Sequence, residues 1–213
     1  MSPCMTERVV NPEILDSLHP SDPAAIRSRQ DLRRINWFMR GEAWILQQLV
    51  EMKDLSKVVE IGAGDGHLAT KIKEKFPAVT VIAVDLLDRP ESVPLNVEWQ
   101  TGDVMQSHCF DDDTVVVANL FIHHLDDEKL FQLGEKISSC RALIMAEPHR
   151  YWFSKLLGYL MFPLINRVTR HDMLVSIDAG FRFGELAGLI DVDWHWDEHA
   201  ALGGIRSISK QIK

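Results

Sequence analysis

Hydrophobic positions along the chain follow one rhythm before residue 56 and another after it. Ser21-Asp22-Pro23 reads as a helix start, with Asp22 as N-cap and Pro23 at the first helical position. The following AAIRSRQDLRRINWFMR sets Ile26, Ile35 and Phe38 near one face, with Arg27, Arg29, Arg33, Arg34 and Arg40 on the remainder. A second helix, EAWILQQLVEM, follows Gly41 and offers Trp44, Leu49 and Met52 for burial. Beyond Ser56, short β-branched runs take over: Lys57–Ile61, Val79–Val84, Val97–Gln100, Val115–Asn119 and Ala142–Ala146. Helical stretches HLATKIKEKF and DDEKLFQLGEKISSC stand between them, an alternation that predicts a parallel sheet with crossover helices. Near-continuous apolar runs fit strands covered on both faces. DVDWHWDEH and IRSISKQIK, parted by Ala-Ala-Leu-Gly-Gly, predict a closing antiparallel pair. The expected fold is α/β: an open, doubly wound, mostly parallel sheet with an antiparallel closing strand. Residues 1–56 form a helical N-terminal cap, and residues 57–213 the sheet domain with a lid insertion over 150–175.

Composition adds exclusions. At 46% hydrophobic and 25% charged over 213 residues, the chain has the make-up of a globular protein that needs no staples. Cys4, Cys109 and Cys140 show no CxxC spacing and read as small buried hydrophobes in a reducing compartment. With 31 acidic against 23 basic residues the net charge is −8, which argues against a nucleic-acid partner. MSPCMTERVVNPEIL lacks the apolar run of a signal peptide, so a cytoplasmic location is expected.

The strongest local signal is Glu60-Ile61-Gly62-Ala63-Gly64-Asp65-Gly66 between a strand and a helix, where glycines let backbone turn tightly and approach a ligand. It is neither a P-loop, lacking GxxxxGK[ST], nor the GxGxxG dinucleotide loop, since its third glycine comes one residue early. Asp85 ends the next strand, Asp103 follows the third in Thr101-Gly102-Asp103-Val104, and Asn119 ends the fourth. All lie at carboxyl ends of strands, where open α/β sheets bind ligands.

Residues Glu60 to Gly66 resemble motif I of class I S-adenosylmethionine-dependent methyltransferases. Val84-Asp85, Gly102-Asp103-Val104 and Asn119-Leu120-Phe121-Ile122-His123-His124-Leu125 match the following motifs in order. The resemblance covers residues 57 to 213 and implies a Rossmann-like sheet. It implies that Gly62, Ala63, Gly64 and Gly66 pass beneath the methionine part of S-adenosylmethionine, with Glu60 near its amino group. Asp85 and Leu86 would flank the ribose, Asp103 and Val104 the adenine, and Asn119 the sulfonium. The product would be S-adenosylhomocysteine (SAH). Thr169-Arg170-His171-Asp172, Ser176, Ala179-Gly180-Phe181 and Leu32-Arg33-Arg34-Ile35-Asn36 also resemble bacterial methyltransferases associated with polyketide-derived phenolic lipids, and more distantly quinone-biosynthesis methyltransferases. This implies secondary metabolism and a small hydrophobic, phenolic acceptor, methylated on oxygen in preference to carbon.

A histidine beside a hydroxyl is suited to general-base work. His149, His171 and His124 are therefore the catalytic candidates, with His123, Arg150 and Arg170 as substrate-binding candidates. A metal at His123, His124, Asp126 and Asp127 is not expected, because adjacent histidines do not share a helix face and no HExxH appears. The aromatic insertion YWFSKLLGYLMFPLINRV, broken by Lys155 and Pro163, reads as a helical lid that would recognise a hydrophobic substrate or rest on a membrane surface. The expected assembly is a monomer or homodimer. Two alternatives stand beside this reading. Tyr151 and Lys155 have the Tyr-x-x-x-Lys spacing of an NAD-linked short-chain oxidoreductase, and a non-catalytic cofactor-binding regulator could dock through the arginine-rich helix.

Overall fold

In a computed structural model, residues 7–19 and 21–211 are described; Cys4 and Pro20 fall outside them. Seven strands, β1 (Lys57–Ile61), β2 (Thr80–Asp85), β3 (Glu98–Thr101), β4 (Thr114–Asn119), β5 (Ala142–Pro148), β6 (Trp194–Ala201) and β7 (Gly204–Gln211), form one sheet in the order β3-β2-β1-β4-β5-β7-β6. The first five are mutually parallel. β7 folds back through a turn at Leu202-Gly203 and inserts antiparallel between β5 and β6. The closing pair is thus a hairpin whose second strand is the inner one.

Helices α1 (Ile14–Ser17), α2 (Pro23–Met39), α3 (Gly41–Glu51), α4 (His67–Lys75), α5 (Asp127–Ile137), α6 (Trp152–Met161), α7 (Arg167–Ala179) and α8 (Glu185–Ile190) cover the sheet. Its two faces carry separate apolar cores. Ile61, Val116, Leu130, Leu143 and Phe181 lie in one; Ile45, Leu49, Val58, Ile72 and Ile144 lie in the other. Since α3 supplies Trp44, Ile45 and Leu49 to the second core, the sheet's own packing begins before residue 57. Cys109 and Cys140 are buried and free, and burial pushes the Cys140 thiol up to about 12.

Asp22 caps α2 by accepting from Ala24 N at 2.7 Å, with Pro23 at the first position. The face of α2 that is buried, however, is Ala25, Ser28, Asp31 and Ile35, while Ile26 and Phe38 are exposed. Polar contacts decided this. Asp31 Oδ2 accepts from Asn166 N at 2.8 Å, Ser28 Oγ lies 2.9 Å from Thr169 Oγ1, and Asn166 Nδ2 donates to Ala24 O at 3.0 Å. The cap helix is therefore docked onto the first turn of α7 through buried hydrogen bonds, which an apolar-face reading does not detect. Residues 150–175 hold α6, a 3-10 turn over Phe162–Leu164 and most of α7. No helix among the described residues is long and apolar enough to cross a membrane.

Register fixes where the chemistry gathers. Ile61 pairs with Val84 and Ala118, Asp85 with Thr101, and Asn119 with Ala146. The loop after β1, the acid ending β2 and the amide ending β4 thus emerge along one edge, where the strand order reverses between β1 and β4.

Candidate functional site

Gly62, Gly64 and Gly66 all have positive φ, of 68°, 57° and 71°. Gly62 N and Ala63 N both donate to Val84 O, at 2.9 and 3.2 Å, so the loop is stitched to β2. A Cβ at Gly62 would lie 2.0 Å from the Phe121 ring, whereas one at Gly64 would meet nothing within 4 Å. The first glycine lets Phe121 rest on the loop. The second keeps open the space above it.

Asp85 is half bound and half available. Its Oδ2 accepts from Gly64 N at 2.7 Å and its Oδ1 from Leu87 N at 2.9 Å, leaving one lone pair on each oxygen. Leu86 beside it is exposed. Asp103 Oδ1 caps the 3-10 turn Val104–Gln106 through Met105 N at 2.9 Å, and Val104 is buried beneath it. Next to them opens a hollow of about 430 Å³, lined by Val84, Gln100, Thr101, Gly102, Asp103, Gln106, Ser107 and His108. That volume lies within the range of small-molecule clefts.

The other half of the site holds buried oxygens without partners. Glu60 is buried with Oε2 unpartnered, and burial pushes its carboxyl well above the usual range, with Glu42 adding repulsion. Asn119 Oδ1 and Asn36 Oδ1 are likewise buried without a partner. A Cβ on Gly41 would lie 2.7 Å from Asn119 Oδ1 and 3.3 Å from Asn36 Oδ1, so both amide oxygens lie close against Gly41 at the α2–α3 corner. Gly41 allows that corner to sit on the ends of β4 and β5. Three buried acceptors without donors call for a ligand that brings N–H groups or positive charge.

His123 is fully buried between carboxylates. Its Nδ1 lies 2.7 Å from Glu147 Oε2 and its Nε2 3.7 Å from Glu13 Oε1. Burial pulls its pKa down, but the Glu13 and Glu147 carboxylates on either side outweigh that and push it up to about 9. Glu147 Oε1 accepts from Phe121 N and Ile122 N at 3.0 and 3.1 Å, and Ser176 Oγ donates to Glu13 Oε1. Burial, and then the His123 charge, hold His124 below its ordinary value. Arg8 ties the same N-terminal segment down, donating to Ala179 O and His123 O and pairing with Asp127 at 2.8 Å.

The substrate-side candidates separate. His149, just past β5, stacks on Tyr151 with centroids 5.3 Å apart and meets Phe183 edge-on at 5.5 Å; burial lowers its pKa. His171 is exposed, its Nδ1 3.0 Å from Asp172 Oδ1, on a part of α7 where Asp172 caps α1 through Ile14 N and Leu15 N. Arg170 donates to Ile165 O at 3.0 Å and lies over the Phe162 ring. Arg150 is a correction. It is 2% exposed, with Nε donating to Gly180 O at 3.1 Å and the guanidinium paired to both oxygens of Glu185. Its fork is spent on holding α8 to the end of β5. Lys155 pairs with Asp178 at 2.6 Å while Tyr151 stacks on His149, so the two do not act as one unit. On α6, Ser154 and Gly158 are buried while Trp152, Phe153, Leu156, Tyr159 and Leu160 are exposed.

His123 and His124 lie side by side, centroids 4.3 Å apart, in a 3-10 turn rather than an α-helix, and Glu13 joins them from the N-terminal segment. Glu13, Asn36 and Glu147 were absent from the sequence candidates. Only Glu147 carried a signal, as a polar residue ending a strand.

Residues 19–144, more than half of the chain, match the family model for the O-methyltransferase domain. An uncharacterized methyltransferase of Mycobacterium tuberculosis (strain ATCC 25618 / H37Rv) is 32% identical over 87 residues, covering 36% of this chain and 43% of that protein. The chain therefore matches less than half the length of that relative. Among solved structures, the plantazolicin methyltransferase BamL in complex with triazolic desmethylPZN analog and SAH superposes at TM-score 0.73, with 8% identity and 93% of each chain covered. A putative O-methyltransferase from Nostoc punctiforme PCC 73102 gives TM-score 0.63 at 16% identity, over 93% of this chain and 64% of that one. At these identities the two structures share the fold.

Proposed function

We propose, from the premise that this chain belongs to the O-methyltransferase domain family and is a class I S-adenosylmethionine-dependent methyltransferase, that it transfers a methyl group to the hydroxyl of a small hydrophobic, phenolic acceptor. The observation that carries the cofactor side is the trio of donorless buried oxygens, Glu60 Oε2, Asn119 Oδ1 and Asn36 Oδ1, beside a glycine loop. An α-ammonium and a sulfonium are the cationic, donor-rich groups such a lining favours, and a pyrophosphate is not. Asp85, with a lone pair left on each oxygen, is suited to a ribose diol, and the hollow by Asp103 to an adenine.

When bound, S-adenosylmethionine supplies an already activated methyl, so the chain's part is to orient the acceptor, remove its proton and exclude water. His149 is our candidate for the base. It stands at the carboxyl end of β5 among aromatic rings, and its lowered pKa leaves it neutral, able to accept a proton at pH 7. Tyr151 and Phe183 give the acceptor side an aromatic lining. His171, exposed and paired with Asp172, is the weaker candidate.

The reading is tested by incubating the full chain with S-adenosylmethionine labelled in the methyl group and simple alkylphenols. Label transferred to the phenolic oxygen supports it, with kcat falling about 10²–10⁴-fold in His149→Ala. Label on ring carbon would make it a carbon methyltransferase. SAH binding without any transfer would favour the regulator.

A further inference from the structure

His123, His124 and Glu13 each offer one ligand atom within 4.8 Å of the other two. Glu13 Oε1 lies 3.7 Å from His123 Nε2 and 3.9 Å from His124 Nε2. An ion at the centre of a triangle that size would sit about 2.1–2.5 Å from each corner, a few tenths of an ångström longer than Zn–N and Zn–O bonds of about 2.0–2.2 Å. Small rotamer adjustments close that gap. The decisive group is His123: its ring is buried, its Nε2 has no hydrogen-bond partner, and its other nitrogen is held by Glu147 Oε2 at 2.7 Å. A carboxylate on Nδ1–H leaves Nε2 as the nitrogen that a metal can bind in exchange for its proton, which is the outer-shell pattern of metal-bound histidines.

We propose that Glu13, His123 and His124 form a binding site for a divalent transition metal of the zinc type, with Glu147 as the outer carboxylate. Two imidazoles and one carboxylate suit borderline zinc over magnesium or calcium, which prefer all-oxygen sets. The dication also offsets two buried carboxylates, Glu13 and Glu147. Partly exposed His124 leaves a solvent side for entry and a fourth ligand. Such an ion ties the N-terminal segment to the turn that carries Phe121, and so to the glycine loop on which Phe121 rests.

The site is tested without the methyl-transfer reaction, so its outcome is independent of the proposed function. Tag-free full chain, stripped with a chelator, is titrated with Co²⁺ and then Zn²⁺. The expected result is one equivalent of Co²⁺ with visible ligand-field absorption, bleached by Zn²⁺. His124→Ala and Glu13→Ala, with circular dichroism confirming the fold, should weaken binding about 100-fold or more. His19→Ala, exposed on the same segment, should not. Absence of a stoichiometric signal, unchanged binding in His124→Ala, or loss in His19→Ala would each overturn the proposal.

Discussion

Alanine at Gly62 and alanine at Gly64 are the same chemical change two residues apart, yet the structure assigns them opposite consequences. Both positions have left-handed φ, 68° and 57°, which costs a β-carbon about 1–2 kcal/mol. At Gly62 the new methyl also meets Phe121 Cδ2 at 2.0 Å and Cγ at 2.1 Å. Phe121 is fastened on its backbone side by Glu147, so it cannot simply withdraw, and overpacking adds about 1–3 kcal/mol. The expected loss is about 2–5 kcal/mol for Gly62→Ala and about 1–2 kcal/mol for Gly64→Ala. For a chain of this length that corresponds to falls in Tm of about 4–20 °C and 2–8 °C. Ligand binding should rank them the other way. The Gly64 methyl projects into space with nothing within 4 Å, which the account reserves for the cofactor, whereas at Gly62 the protein itself absorbs the clash. Differential scanning calorimetry and SAH titration at 10 °C, where both variants remain folded, would read the two effects separately. A Gly64→Ala variant binding SAH like the parent would refute the assignment of that space; a Gly62→Ala variant as stable as Gly64→Ala would refute the packing argument.

Three further outcomes are expected. Glu60, whose pKa is raised in the folded cofactor-free protein above the ordinary 4.5, favours folding in its protonated form, so its contribution is lost as pH rises from 4.5 through the raised value. Glu60→Gln should therefore flatten the loss of Tm on the alkaline side while weakening SAH binding; an unchanged Tm–pH curve would remove Glu60 as its source. Arg150→Ala should cost about 2–4 kcal/mol in urea unfolding by breaking the ties to Glu185 and Gly180, with KM for a phenol little altered in the folded fraction; a large KM effect at parental stability would return Arg150 to the substrate. If His149 is the base, kcat/KM rises as its imidazole loses its proton, with a midpoint below 6.5 because burial lowers its pKa. That limb should vanish in His149→Gln, and its persistence would place the base elsewhere.

What was legible in the sequence was mostly local. Strand, glycine loop and following helix announce themselves within a dozen residues, as do Asp85 and Asn119 at the ends of apolar runs. The helix cap at Asp22-Pro23 is likewise a short-range signal. Long-range pairing left no such mark. Glu13 reaches His123 across 110 positions of chain, and Asp31 finds the start of α7 across 135. Neither partner alters the local pattern of hydrophobic and polar residues, so that pattern sets Ile26 and Phe38 on the packed face of α2 and gives no sign that Ser28 and Asp31 are buried. The same blindness made Arg150 look available. Beside His149 at a strand end it resembles a ligand-binding residue, and only the position of Glu185 shows where its charge is spent. The two histidines were judged by helix geometry, although a 3-10 turn brings their rings together.

The central claim is that the loop of Gly62 to Gly66, with Glu60, Asp85 and Asn119, is built for a cationic sulfur nucleotide. Calorimetric titration of the full chain with S-adenosylmethionine, SAH and NAD tests it most directly, repeated with Asp85→Asn. Micromolar binding of both sulfur nucleotides, weakened at least about tenfold in the variant, and no binding of NAD are the expected results. NAD binding in place of the sulfur nucleotides, or SAH binding indifferent to Asp85, would contradict it.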